Sequence, residues 1–511
     1  MSQIRRQILS RRKQRIERRL EPRNWSEQDE PMFRASNIHY ELSDRTRGLD
    51  CGGIGAVHQM VRHVGLIEAI NSHVHVLKAH MPYWESDHVL HFAYNALTGG
   101  TCMEDMELRR QDEVYLDALG AQRIPDPTTA GDFLRRFGRY DIESLMSAMN
   151  VARLRVWAKQ PRSFFKEATI DVDGTMTPTY GECKEGMDIS HKGEWGYHPL
   201  VVTLAQTGEV LYVVNRSGNR PSHEGAALRL DQAKVLCRRA GFQRIKFRGD
   251  TDFSQCQHLD RWDTEGVRFV FGFDAHPKLV GLADALAEQD WRPLKRRAKY
   301  AVCTEPRRRP ERVKEAVVVE REFHNIRLQS EQVAEFDYRP GCCTKAYRIV
   351  VVRKNLTVLK GERRLFDEVR YFFYITNDRD STATEIVYDA NERCNQENVI
   401  EQLQNGVRAL QAPSNTLLSN WAYMVMASLA WTLKAWFALL LPEDGRWSDK
   451  HRGEKSAVLK MESKRFINAF IRVPAQVVRT GRRIVFRLLS WNPWQHVFLR
   501  AVDQFHGTLQ R

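Results

Sequence analysis

The chain has 511 residues, 42% apolar and 28% charged, with a formal net charge of +14. That length suits about three domains, each able to bury its own core, and the composition is that of a soluble globular protein. The nine cysteines are odd in number and scattered without paired spacing, which excludes a disulfide framework and points to a reducing, cytoplasmic setting.

The positive charge is clustered. Eight arginines and lysines lie between Arg5 and Arg19, with Glu17 the sole acid among them. Further basic clusters run from Arg292 to Lys314 and from Arg452 to Arg487. Separate basic regions favour an extended polyanion over a small anionic metabolite. The basic N-terminus is followed by no apolar run, so it is not a secretory signal. Leu417 to Leu441 is apolar enough to suggest a membrane span, but Asn420 and Lys434 interrupt it, and it reads as a buried core helix.

In chain order, residues 1–35 form a basic arm and 36–163 a helical DNA-binding domain, with helices over Ile54 to Val64, Leu66 to Asn71 and Ser86 to Leu97. The stretch Pro125 to Phe137 has a turn, a cap and an apolar spacing beside Arg135 and Arg136. It reads either as a helix laid on DNA through those arginines or as an ordinary capped helix. Strands follow at Ala168 to Val172, Pro199 to Leu204 and Val210 to Val214, an antiparallel meander. A helix over His223 to Ala240, a strand over Gln243 to Phe247, a helix over Ser254 to Trp262 and a strand over Val267 to Phe273 come next. Three strands, helix, strand, helix, strand is the order of a ribonuclease-H-like α/β fold, a mixed sheet with flanking helices. Its first part spans 164–289. A β-rich insertion over 290–380 follows, with strands expected at Ala316 to Val319, Tyr347 to Val352 and Tyr371 to Ile375. Residues 381–445 supply the last helices of the core. Residues 446–511 read as a basic helical region, including Leu459 to Phe470 and Val477 to Leu489.

Four aspartates cluster at predicted strand ends. Asp171 and Asp173 are two apart on one strand and therefore share a face. Asp173, at the exit before Gly174, is favoured as a metal ligand, with Asp171 as a supporting or alternative acid. Asp250 ends the fourth strand, which lies beside the first in such a fold; Asp252 is its local competitor as a helix cap. Adjacent carboxylates repel unless a cation bridges them, and hard oxygen ligands suit Mg²⁺ or Mn²⁺. Two such ions support in-line attack at phosphorus. The third acid is Glu397, four residues after Arg393 and so on the same helix face; the alternative is a surface ion pair between the two. Arg393 has the donor fork for a phosphate. Cys256 and His258 have the spacing of half a metal site but lack a second half.

These motifs resemble those of DDE transposases of bacterial insertion sequences, in the group with a β-rich insertion before the catalytic glutamate. The resemblance rests on Asp171-Val-Asp173-Gly-Thr175, Gly196-Tyr-His198-Pro-Leu200, Arg216-Ser-Gly218-Asn219, Arg248-Gly-Asp250-Thr-Asp-Phe253 and the pair Arg393 and Glu397. In the family signature a tyrosine precedes the arginine and a lysine follows the glutamate. Here Ala390 holds the tyrosine's place, with Tyr388 two positions away, and Gln404 holds the lysine's. The resemblance implies Asp173, Asp250 and Glu397 as catalytic residues and metal ligands, with two Mg²⁺ or Mn²⁺ ions per site. It implies cleavage at element ends and joining of the freed 3′-hydroxyls to target DNA. It also implies a homodimer on double-stranded DNA bearing terminal inverted repeats, in a bacterial cytoplasm, at the nucleoid when DNA-bound, with no membrane. DNA contacts are expected from Arg393, Arg135, Arg136, Arg296 and Arg297. Tyr347, Phe366, Tyr371, Phe372 and Phe373 of the insertion are either stacking groups for a flipped base or core residues. A related nuclease that cuts without joining, or a non-catalytic DNA-binding derivative, would share the same acids.

Overall fold

A computed structural model describes residues 3–20, 47–295 and 317–505, apart from 81, 182, 318, 323, 362, 481 and 482. Its centre is one nine-stranded mixed sheet. The strands, in chain order, are β1 (Glu167–Gly174), β2 (Leu200–Leu204), β3 (Glu209–Val214), β4 (Arg244–Gly249), β5 (Val267–Phe273), β6 (Arg292–Pro293), β7 (His324–Tyr338), β8 (Tyr347–Lys360) and β9 (Arg363–Thr376). Across the sheet they lie in the order β6, β7, β8, β9, β5, β4, β1, β2, β3. β1, β4 and β5 are parallel neighbours, β1 to β3 form the expected antiparallel meander, and β9 joins β5 antiparallel.

The local chemistry accounts for these elements. β2 and β5 are rich in Val, Leu and Phe, β1 carries Ala168, Ile170 and Val172, and all three are buried along most of their length, as expected of strands covered on both faces. The Ala226–Ala240 helix between β3 and β4 ends at Gly241, whose φ of 102° suits the left-handed cap. The region read as an insertion is built of three long strands, and it is continuous with the core sheet, because Phe373 of β9 pairs with Phe273 of β5. The near half of β8, Tyr347 to Val352, is buried, whereas Ile326, Leu328 and Phe366 on the far halves of β7 and β9 are about half exposed. Of the residues expected to form a strand at 316–319, Ala316 lies outside the described residues, while Val317 and Val319 are helical.

One face of the sheet packs against the Leu417–Leu439 helix, which is buried along nearly its whole length. The helix is apolar and long enough to cross a membrane, yet it lies wholly inside the protein. Around it lie the Ile54–His63, Glu85–Leu97, Pro127–Arg135 and Arg139–Trp157 helices. Trp421 and Trp431 donate their indole N–H groups to the carbonyls of Val213 (2.6 Å) and Gly208 (2.7 Å). The fully buried Glu209 of β3 receives Arg153 Nε at 3.1 Å, Trp157 Nε1 at 2.8 Å and Trp436 Nε1 at 2.8 Å. A buried charge is tolerated only when paired and hydrogen-bonded in this way.

The C-terminal region departs from its reading as wholly helical. Helices cover Ser448–Leu459, Ser463–Phe466 and Gln495–Gln504, but Ala475–Thr480 and Arg483–Leu488 form a β-hairpin rather than the helix expected over Val477 to Leu489. The β-branched residues Val477, Val478, Ile484 and Val485, with Gly481 between them, favour paired strands over a helix. Gly48–Leu49 adds a third, antiparallel strand.

Candidate active site

β1 and β4 run in register with Asp171 opposite Arg248, so Asp173 and Asp250, each two residues further on, leave neighbouring strand ends. Asp250 lies just past β4, where its carboxylate accepts the Asp252 N–H at 3.0 Å and caps the turn Thr251–Phe253. The capping role considered for Asp252 therefore belongs to Asp250. Asp173 accepts the N–H of Gly174 at 2.8 Å. Gly174 is tightly placed: a Cβ there would sit 3.0 Å from His198 Nε2 and 3.3 Å from Arg216 Nη2.

Glu397 arrives from the other side of the strands. It lies on the Cys394–Glu401 helix, which packs on β1. The preceding residue, the buried Gln396, anchors that helix to β2 by donating to the Val201 carbonyl at 3.1 Å and by bonding the Thr203 hydroxyl. Two turns later Gln404 donates to Thr175 Oγ1 at 2.9 Å and to the Met176 carbonyl at 3.2 Å. The glutamine at the family's lysine position thus holds the chain just beyond Asp173. Arg393 lies between the acids, 3.6 Å from Asp173 Oδ2 and 3.5 Å from Glu397 Oε1.

The electrostatics match this crowding. Burial, the Asp250 charge and, more weakly, Glu397 push the Asp173 carboxyl up to about 7, against the opposing pull of Arg393 and the Gly174 N–H. Burial also raises Asp250, with Asp252 and Glu397 adding to the rise and Arg393 opposing it. Three carboxylates that destabilise one another around a single guanidinium are short of positive charge. Among the described residues no three His, Cys, Asp or Glu side chains are already gathered closely enough to hold a metal ion. The donor set still fits a hard divalent cation, because its donors are carboxylate oxygens, and Glu397, with 56% of its side chain exposed, has room to turn from Arg393.

Asp171 takes a different part. It is fully buried, and Arg248 grips it with both ends of its fork, Nε at 2.7 Å and Nη2 at 2.9 Å. The remaining nitrogen of Arg248 donates to the carbonyl and carboxylate of Asp389, at 2.7 and 3.0 Å. Lys246 reaches the same carboxylate at 2.8 Å. This lattice ties β1 and β4 to the Ala383–Glu392 helix that leads into Arg393 and Glu397. No local pattern marks Arg248, Gln396 and Gln404 for these roles, because their partners lie up to 229 residues away. Arg216 and His198 stand in the sequence motifs without an evident task. In the fold, Arg216 donates to the carbonyls of His198, Ser222 and Glu224 and so clasps the turn that follows β3.

The other expected contacts are scattered. Arg135 and Arg136 are exposed at the end of the Pro127–Arg135 helix, and Arg135 pairs with Asp132. Arg296 and Arg297 lie outside the described residues. Tyr347 and Phe373 are buried core residues, while Phe366 and Phe372 are 56% and 42% exposed.

Superposition on a solved piggyBac transposase, in a cryo-EM structure of its synaptic complex with hairpin DNA, covers 83% of this chain and 82% of that one, at 8% identity and a TM-score of 0.36. No curated protein matches the chain. The family model described as "Transposase DDE domain group 1" matches residues 50–508, from the turn before the first described core helix through the last helix. By that match the chain belongs to the DDE transposases of group 1 and is a DNA-binding enzyme of that type.

Proposed function

We propose that this enzyme cleaves DNA at the ends of a bacterial insertion sequence and joins the freed 3′-hydroxyls to target DNA, using Asp173, Asp250 and Glu397 as its catalytic acids. The observation that supports this most is the placement of two aspartates at adjacent parallel strand ends with Glu397 brought to them by a helix packed on β1, where Asp250 and Glu397 both raise the proton affinity of Asp173. The strand order β3, β2, β1, β4, β5 supports a ribonuclease-H-like core. The three acids would hold two Mg²⁺ or Mn²⁺ ions. The chemistry such ions supply is polarisation of the phosphodiester and acidification of the attacking water or 3′-hydroxyl.

The chain's own residues supply the positioning. Arg248 fixes β1 against β4 through Asp171, and Gln396 fixes the glutamate helix against β2. Arg393, now shared between Asp173 and Glu397, is placed to transfer its donors to a phosphate oxygen as the carboxylates turn to cations. Recombination needs two ends, so the working form on DNA with terminal inverted repeats is a homodimer, acting in the cytoplasm at the nucleoid.

The test is cleavage and strand transfer on a duplex carrying the element end, in Mg²⁺ and in Mn²⁺. Asp173→Ala, Asp250→Ala and Glu397→Ala should each lower both reactions by a factor of about a thousand or more while DNA binding stays within a few-fold. Cleavage that survived all three changes would remove these residues from the chemistry.

A further inference from the structure

We infer that the N-terminal Gln3–Leu20 helix is a sequence-reading element that enters the major groove of duplex DNA, at a place separate from the candidate active site. The helix has 18 residues and no acid in its first turn. Two opposite stripes divide its surface. Arg5, Leu9, Arg12 and Ile16, at helical spacing, form the side turned to the protein. Arg12 donates to the carbonyls of Leu488 (2.9 Å) and Ser490 (3.2 Å), where the C-terminal hairpin ends. Arg5 meets Asp503 at 3.2 Å, and Leu9 shares a cavity wall with Trp447 and His496.

The opposite stripe is Gln7, Arg11, Gln14 and Arg18, spaced four, three and four residues apart and all exposed. These are the side chains that read purine edges, arginine bidentate to guanine and glutamine bidentate to adenine. A helix with so little apolar surface gains little from the protein it rests on, so its ordering suits a polar, anionic partner. Neither Arg11 nor Arg18 has an ion-pair partner among the described residues. The stripe runs over 12 residues, about 16 Å along the helix, which corresponds to about five base pairs. Charge complementarity continues onto the brace. Arg483 and Arg487 of the hairpin alternate on one exposed face, with Gln476 opposite Arg487, and they are suited to the flanking phosphates.

This role rests on the chain being a DNA-processing enzyme, but not on which residues do the chemistry. The experiment selects duplexes from a random library with the full-length protein, then measures binding to the selected and to unselected duplexes across salt. The wild type should enrich a common sequence that includes a run of about five specified base pairs. Arg11→Lys and Arg18→Lys keep the charge but lose the bidentate fork. Each should weaken binding to the selected duplex about tenfold and relax the sequence at one or two positions, with unselected binding and the salt slope unchanged. If lysine substitutes without loss, or if alanine variants lose affinity equally for all sequences with a salt slope lower by about 1, the arginines touch phosphate only and the reading role is wrong. Failure of the wild type to enrich any sequence would overturn it as well. Asp173→Ala serves as the separating control. It should select the wild-type sequence, and if it still cleaves, the active-site reading fails while the helix result stands.

Discussion

Among single residues, Asp173 has the most measurable consequence. Its carboxyl is raised to about 7 in the folded protein, whereas an unfolded aspartate titrates near 3.9. Between those values the folded state binds the additional proton, so stability is greatest below about pH 4, falls as pH rises, and levels off above about 7. Asp173→Asn removes that loss. Without divalent metal the variant should exceed the wild type by on the order of 3 kcal/mol at pH 8 and match it near pH 4, as read by denaturant unfolding. Mg²⁺ or Mn²⁺ should raise the Tm of the wild type at pH 8 and leave the variant unmoved. Parallel pH profiles for the two proteins would show that Asp173 is not under the strain described. Asp173, Asp250 and Glu397 are candidates on local signatures alone, as strand-end aspartates and a helical Arg-Glu pair, and the fold places them at neighbouring strand ends and on the helix packed beside them. What the sequence does not show is the partner that Asp171 takes. That partner is Arg248, whose side chain arrives from a strand 77 residues away.

At the level of elements, the glutamate helix stands or falls with Gln396. This side chain is 1% exposed and bonds two groups on β2. Gln396→Ala would leave the Thr203 hydroxyl without this partner in a buried site, at a cost of about 1–3 kcal/mol. It should lower kcat for cleavage by about ten- to a hundredfold with KM for the DNA nearly constant, since it displaces Glu397 rather than a binding surface. A change confined to KM would argue that Gln396 merely packs. Element types were readable wherever periodicity was strong, as in β1 to β5 and the helices before them. Two departures have physical causes. The Val477 to Leu489 stretch has arginines at helix-compatible intervals, but its β-branched residues lie in the paired strands of a hairpin. In the insertion the strands at Tyr347 to Val352 and Tyr371 to Ile375 were legible, but His324–Tyr338, with its mostly charged and polar side chains, was not, and the union with the core sheet depends on a pairing of Phe373 with Phe273, one hundred positions apart, which no local pattern encodes.

On the scale of the molecule, the C-terminal region closes over the buried Leu417–Leu439 helix. Phe437 of the buried helix packs its ring against Phe466, Phe470 and Phe505 at centroid distances of 5.1 to 5.6 Å, and Lys434 donates to the Leu459 carbonyl at 2.5 Å. Burial pushes the Lys434 ammonium down to about 7. A chain ending at residue 445 would expose that face and leave the lysine without its acceptor. It should lose cooperative unfolding by calorimetry and be recovered mainly as aggregate; a truncated protein with the Tm of the full chain would mean that the C-terminal region is an independent appendage.

The carboxylate of Glu209 has a consequence in time. It is satisfied by Arg153 and Trp157 from before it and by Trp436 from 227 residues after it. At a synthesis rate of about 5–20 residues per second, the ribosome takes roughly 10–45 s to deliver that last partner. Through this interval the nascent N-terminal helices and sheet lack the apolar segment that fills them. Closing of this core is therefore gated by delivery of the Leu417–Leu439 helix, and a chain released before that helix is made meets chaperones and proteases before DNA.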